Sequence, residues 1–220
     1  NINNVVSANP DQAGNYTVNQ ERFIRLLQTL PLESRLNVVR AEELANAVFD
    51  WLDADDNPRQ PGGAETFYYS EATPPGRAAN SVVQSVSELR WVRGITPEIY
   101  EALLPHLTVF GSGQININTA TESVLRSMNK INNLSPLAAI DVADIVIGQS
   151  PEQGGFEDMS VFNQPPLAGL DIAVDDLVVN SELFLLTNKV LLLEREYQLQ
   201  SVIFRENDTV KVIERSQQGF

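Results

Sequence analysis

The 220-residue chain has no cysteine and only one histidine, His106. The first absence removes disulfide scaffolds, thiol nucleophiles and thiolate zinc sites at once. It does not fix the compartment, since a secreted or periplasmic protein need not use disulfides. A lone imidazole has no second histidine with which to build a zinc or catalytic centre. His106 follows Pro105 at a predicted helix end and reads as a capping or surface residue. Basic residues are also scarce, 15 Lys and Arg against 29 Asp and Glu, for a formal net charge of −14. Such a balance repels phosphate backbones and anionic membranes and favours divalent cations or basic partners. No run approaches the roughly 20 apolar residues that span a bilayer, and no signal peptide is visible. Asn1 stands inside a patterned segment without an initiator Met. A trimmed amino end is therefore expected, and the lack of an anchor carries no weight. No G-x-S-x-G, P-loop or H-E-x-x-H pattern occurs. What remains is an ordinary apolar share, 43% of residues, enough for a sizeable core.

Periodicity divides the chain. Residues 1–6, NINNVV, read as the start of a strand. Thr17 and Gln20 make a capping box before Phe23, Ile24, Leu27 and Leu30, and Pro31 ends that helix. A second helix is predicted over 41–52, with Leu44, Ala47, Val48 and Trp51 on its apolar face. A long polar loop over 53–76 follows, punctuated by Pro58, Pro61, Gly62, Gly63, Pro74, Pro75 and Gly76. Ser85 with Glu88 forms another capping box, and Thr96-Pro97 is a strong helix start. Extended pieces are expected at 107–110 and 114–117, then helices starting at Thr119 or Thr121 and at Ser135-Pro136. Residues 149–180 read as loop, with short helical pieces near Met159 and Asp176. From Ser181 the period becomes strand-like, giving a three-strand antiparallel meander with Glu206-Asn207-Asp208 at a hairpin turn. The class is α+β. Three strands with one apolar face need a cover, and a helix preceding Asn1 is the natural candidate.

Two constellations carry candidate chemistry. In Asp50–Tyr69, Asp53, Asp55 and Asn57 alternate as oxygen donors, and Glu65 returns after a Pro-Gly-Gly turn. Calcium takes six to eight oxygens from carboxylates, amides and carbonyls. The EF-hand pattern fails here, because Pro58 and Ala64 fall where Gly and Glu are required. From spacing alone, ion binding and a solvated acidic turn both stand open. Crowded carboxylates in an ordered loop repel one another, which favours a cation. The second constellation, Leu89 to Thr96, has the form of a helix-hairpin-helix unit around Gly94. A looser echo at Leu125–Met128 has Lys130 in place of the hairpin glycine. Arg90 and Arg93 are its only features favouring nucleic acid. A helical packing module is the competing reading, and the acidity of the chain supports it. A hydrolase using acids near Asp53 and Glu65 is a third possibility.

Taken in order, NINN, DWLDAD, PGGAETFYY, SELRWVRGIT, ININTA and a final SVIFR…VIER resemble the K-type minor pseudopilins of type II secretion, also called general secretion pathway protein K. The resemblance covers nearly the whole chain. It implies a pseudopilin-type antiparallel sheet with a large inserted helical domain containing helix-hairpin-helix-like units. Residues 1–8 would begin the pseudopilin core, 9–178 would form the insert, and 179–220 would supply the closing strands. It further implies a non-enzymatic role at the pseudopilus tip with the I and J minor pseudopilins. Other pseudopilus subunits and exported proteins are further partners, and nucleic acid is not. The location implied is the periplasm of a Gram-negative bacterium, with anchorage to the inner membrane through an N-terminal helix only. Structural calcium is implied in the helical domain. It is carried onto Asp53, Asp55, Asn57 and Glu65, with Asp50 and Asp56 as reserves.

Overall fold

The computed structural model describes residues 1–6, 16–150, 152–165, 168, 172, 174–206 and 209–217. Six α-helices are described: α1 (Val18–Thr29), α2 (Val38–Leu52), α3 (Thr66–Ser70), α4 (Pro97–Leu103), α5 (Glu122–Arg126) and α6 (Ala139–Gly148). Short 3₁₀ turns cover Ile2–Val5, Val86–Trp91, Leu104–His106 and Met159–Asn163. A two-residue parallel ribbon joins β1 (Ile115–Asn116) to β2 (Leu177–Val178). The closing sheet has the order β3 (Leu183–Leu192), β4 (Arg195–Glu206), β5 (Thr209–Ser216), antiparallel throughout. The α+β class and the meander therefore hold. Glu206 pairs with Thr209, and the two residues of the expected turn between them lie outside the described residues. The expected boundary after residue 8 does so too. Among the described residues, no helix is long and apolar enough to cross a membrane.

Local chemistry places the helices. The Thr17 hydroxyl accepts from the Gln20 N–H, and the Gln20 side chain accepts from the Thr17 N–H. The Ser85–Glu88 pair closes another box, around a 3₁₀ turn. Thr96 caps α4 through the Ile99 N–H, with Pro97 at its first position. α1 and α2 pack side by side in a core that includes Phe23, Ile24, Leu27, Leu44, Val48, Phe49 and Leu89. A second core gathers Ile117, Leu125, Met128, Leu137, Val142, Ile145 and Leu177.

α1 is buried on nearly every side, and its polar residues tie the two cores together. Arg25, 1% exposed, donates through Nη2 to Glu21 Oε2 at 2.7 Å. It also donates to the carbonyls of Ser127 (2.9 Å), Lys130 (2.8 Å) and Asn133 (2.6 Å). Glu21 accepts in turn from the Asn132 N–H at 2.8 Å. Arg22 forms a forked pair with Asp176, fixing the approach to β2.

Several sequence expectations are corrected. Residues 2–5 form a 3₁₀ turn instead of a strand, because the Asn1 side chain accepts from the Asn3 N–H while Ile2 and Val5 turn into the helical core. Thr108 accepts from the Ile2 N–H, but no strand is described over 107–110. α6 starts at Ala139 instead of Ser135, since the Leu137 N–H is spent on the Arg126 carbonyl and Asp141 caps through the Ala138 N–H. The piece near Asp176 leads into a strand, because Asp176 is held by Arg22 and its carbonyl accepts from the Ile115 N–H. The Lys130 loop is shaped by Arg25, with Asn132 taking the left-handed conformation (φ 63°). His106 meets the Thr121 hydroxyl at 2.8 Å, and partial burial lowers its pKa, so it links two segments.

The sheet register sorts its side chains. Phe184, Leu186, Val190 and Leu192 share one face with Tyr197, Leu199 and Ile203 of β4 and with Val210 and Val212 of β5. Most of these side chains are exposed.

Removing one partner of a buried ion pair strands the other, at about 3–5 kcal/mol. Arg25→Ala is expected to destabilise by that amount, because it also orphans three carbonyls. Urea unfolding measures it, and a loss below about 1 kcal/mol would contradict the tethering role of Arg25.

Candidate metal centre

The end of α2 delivers two acids in quick succession. Asp50 lies in its last turn and is fully buried, and Asp53 is the residue at its C-terminal cap. The chain then turns through Asp55, Asp56 and Asn57, passes Arg59, and doubles back at Pro61-Gly62-Gly63 to place Glu65 before α3. The return needs both glycines. Gly62 has φ 82°, and a Cβ there would press on the Glu43 backbone at 2.5 Å. A Cβ on Gly63 would collide with Asp50 Oδ2 and with the Arg59 backbone.

Asp53, Asp55 and Glu65 are thereby brought together, each offering a carboxylate oxygen within 4.8 Å of the others. Asp53 and Glu65 are 5% and 3% exposed. Asp53 Oδ1 and both Glu65 oxygens are buried with no hydrogen-bond partner among the described residues. Each such orphan costs on the order of 1–3 kcal/mol, more when charged. Arg59 is the cation at hand, with Nε 3.6 Å from Asp50 Oδ1 and Nη2 3.5 Å from Asp53 Oδ2, lying over the Phe49 ring. One guanidinium does not offset this many acids. Burial first, and then the neighbouring carboxylates, push Glu65 up to about 8. Burial is also the first cause at Asp50, raised to about 7, and at Asp53, raised to about 6 with help from Asp55.

The remaining candidates separate by role. Asp50 accepts from the Arg59 N–H at 3.1 Å and pairs with its side chain, so it positions the loop. Asn57 has an exposed side chain, and its N–H donates to Asp55 Oδ1 at 2.8 Å. Asp56 is exposed and accepts from Asn80 Nδ2 at 3.3 Å. Asn80, at φ 46°, also donates to the Asp55 carbonyl, and its Oδ1 is buried without a partner among the described residues. Sequence reading missed both Arg59 and Asn80; a lone Arg inside an acidic stretch was the available signal. A donor set of carboxylate oxygens, several of them unsatisfied, fits a hard cation.

The hairpin at Gly94 (φ 80°) is present, but its first helix is only a 3₁₀ turn. The Arg93 N–H donates to the Tyr69 hydroxyl at 3.2 Å, and the Arg90 guanidinium lies over Tyr100. A hairpin N–H engaged in this way does not face a phosphate.

This α+β architecture, with a helical block before a three-strand meander and an acidic oxygen pocket after its second helix, can be set beside known proteins. Residues 1–112 match the family model of type II secretion system (T2SS) protein K. The chain belongs to that family. It is 31% identical to the type II secretion system protein K of Pectobacterium carotovorum subsp. carotovorum over 188 residues, 82% of this chain and 56% of that protein. It is 28% identical to the Klebsiella pneumoniae protein K over 231 residues, 98% of this chain and 65% of that protein. The chain thus spans little more than half to two thirds of these relatives. A solved structure, the GspK-GspI-GspJ complex from the enterotoxigenic Escherichia coli Type 2 Secretion System, matches with TM-score 0.75 and 25% identity, covering all of this chain and 76% of the other.

The raised carboxyls set a pH dependence. Their folded pKa values lie above the roughly 4 of an unfolded chain. The metal-free folded protein therefore holds more protons than the unfolded one, and its stability falls as pH rises from about 4 through 8. The melting temperature of metal-free protein is expected to be lower at pH 8 than at pH 5.5. Cation affinity should rise over the same interval, since ligands bind deprotonated. Thermal melts with and without chelator at both pH values check this. A metal-free melting temperature that rises towards pH 8 would remove the burial argument.

Proposed function

We propose that this chain is the globular part of a K-type minor pseudopilin that caps the tip of the type II secretion pseudopilus with the I and J minor pseudopilins, and that its acidic loop holds a structural calcium ion. The observation that carries the first part is the likeness over all 220 residues of this chain, at TM-score 0.75, to 76% of a chain of the GspK-GspI-GspJ complex. The exposed apolar face of the closing sheet is consistent with assembly. Contiguous apolar surface of this kind is uncommon on a free monomer. An N-terminal helix preceding Asn1 and the flanks of I and J are its natural covers. A bulky helical block built on such a core leaves no room for a further subunit above it, and this is the physical basis of the capping role. Other pseudopilus subunits, and the proteins being exported, are further candidates for contact. The setting we infer is the periplasmic side of a Gram-negative inner membrane, with anchorage only through that preceding helix. The role is architectural, without catalysis or nucleic acid.

The second part rests on the unsatisfied oxygens of Asp53 and Glu65 beside Asp55. These three residues would hold the ion, with carbonyls, water and the more exposed Asn57 and Asp56 as supplements. Asp50 and Arg59 would orient the loop. The ion would supply fixed positive charge and would cross-link the 53–55 turn to Glu65, closing the loop between them.

A ligand that binds only the folded state adds about 2.7 kcal/mol at a hundredfold excess over its Kd. Calcium should therefore raise the melting temperature, and Asp53→Ala or Glu65→Ala should abolish that rise. Melting unaffected by chelator in the unaltered protein would rule out the calcium centre. Separately, the purified soluble domains of K, I and J are expected to co-elute as a 1:1:1 complex in size-exclusion chromatography. Independent elution at micromolar concentration would contradict the capping assembly.

A further inference from the structure

The Gly62-Gly63 turn also walls a small polar cleft of about 260 Å³, bounded by the start of α2 and the Gly94 hairpin. Two guanidinium groups reach it. Arg93 donates through Nη1 to the Gly62 carbonyl at 3.3 Å and the Gly63 carbonyl at 3.1 Å, and its Cζ lies 4.8 Å from the centre of the Tyr68 ring. Arg40 donates through Nη1 to Glu43 at 2.7 Å. Among the described residues, Arg93 Nε and Nη2 and Arg40 Nη2 donate to no protein atom. Gly94 keeps the cleft open, since a Cβ there would meet Leu44 at 2.7 Å and Arg40 Nη2 at 3.3 Å. Beside it, Tyr68 is 45% and Phe67 76% exposed, a large aromatic surface for a five-residue helix. Tyr68 is held edge-on against Tyr69, which packs the same way on Trp51.

We propose that this cleft binds a carboxylate side chain presented by a protein partner, with Tyr68 and Phe67 receiving an apolar neighbour of that carboxylate. A planar guanidinium held over an aromatic ring, with donors to spare, is organised in advance for a carboxylate. Arginine and tyrosine are the residue types that concentrate binding energy at interfaces. A long polyanion feels the whole −14 charge of the chain and is repelled. A single carboxylate feels mainly what lies within a Debye length of about 8 Å; the acids there, Glu43 on the cleft wall and Asp50 behind Gly63, are already paired with Arg40 and Arg59. The site is separate from the metal centre, and the titration is run in excess calcium so that the shared loop is in one state.

The test is an NMR titration of ¹⁵N-labelled protein with an acetylated, amidated nonapeptide of Ser and Gly that carries one Glu next to one Leu. A second peptide has Gln in place of Glu. Saturable shifts are expected at the Gly62, Gly63 and Gly94 amides and at Arg93 Nε–H with the Glu peptide, and not with the Gln peptide. Arg93→Gln should weaken binding about tenfold or more, and Arg40→Gln about threefold. Lys211→Gln, on the separate strand β5, should leave it unchanged. No saturation at millimolar peptide, equal binding of the Gln peptide, or an equal loss with Lys211→Gln would each overturn the proposal. If Arg93→Gln unfolds, the exposed Arg40→Gln decides, and unchanged affinity there overturns it.

Discussion

The ion pair of Glu21 and Arg25 is the constraint on which the helical block depends. Both residues sit on α1 one turn apart, and both are removed from water. Two charges in such a place are tolerated because all three nitrogens of the guanidinium donate, to a carboxylate and to three carbonyls of the segment after α5. That segment carries the chain from α5 to α6, so one arginine sets the distance between the two apolar cores. Apolar packing supplies the bulk of the stabilisation in each core, but it is not directional. The ion pair supplies the register between them.

The acidic loop has the opposite character. Around Arg25 the opposing groups are matched, whereas around Arg59 acids outnumber the cation and oxygens are left bare. The fold tolerates that imbalance in a segment it needs, since α3 and the Tyr69 contact with the Gly94 hairpin both follow from where Glu65 lands. A compensating positive charge from outside the chain, as in the calcium centre proposed above, would resolve the conflict.

Much of this was legible beforehand, and the division has a physical cause. The Thr17, Ser85 and Thr96 caps are local: donor and acceptor lie within four residues, so spacing reveals them. The closing strands are equally plain, because period-2 runs of β-branched and apolar residues have few alternatives. Asp53 and Glu65 were readable as a pair only because a Pro-Gly-Gly turn between them announced a reversal. What could not be read depends on distant partners. Arg25 finds its carbonyls more than a hundred residues away, and Arg22 finds Asp176 across a still longer gap. The Asn1 amino end turns inward for a similar reason, as Asn1 and Asn4 bond to carbonyls near residue 111. The role of Asp50 was hidden because a buried acid inside an apolar helical face looks like any other polar interruption.

The two rims of the closing sheet are unlike. β5 carries Lys211, Glu214 and Arg215, and Ile213 has no partner on β4, which kinks that strand out of line. β3 is ten residues long with a single charge, Lys189, and an otherwise plain ladder. Backbone groups on the first rim are guarded against uninvited strands, while those on the second are left available. Any growth of this sheet beyond three strands therefore has one direction open to it, which gives the subunit a built-in polarity transverse to its strands.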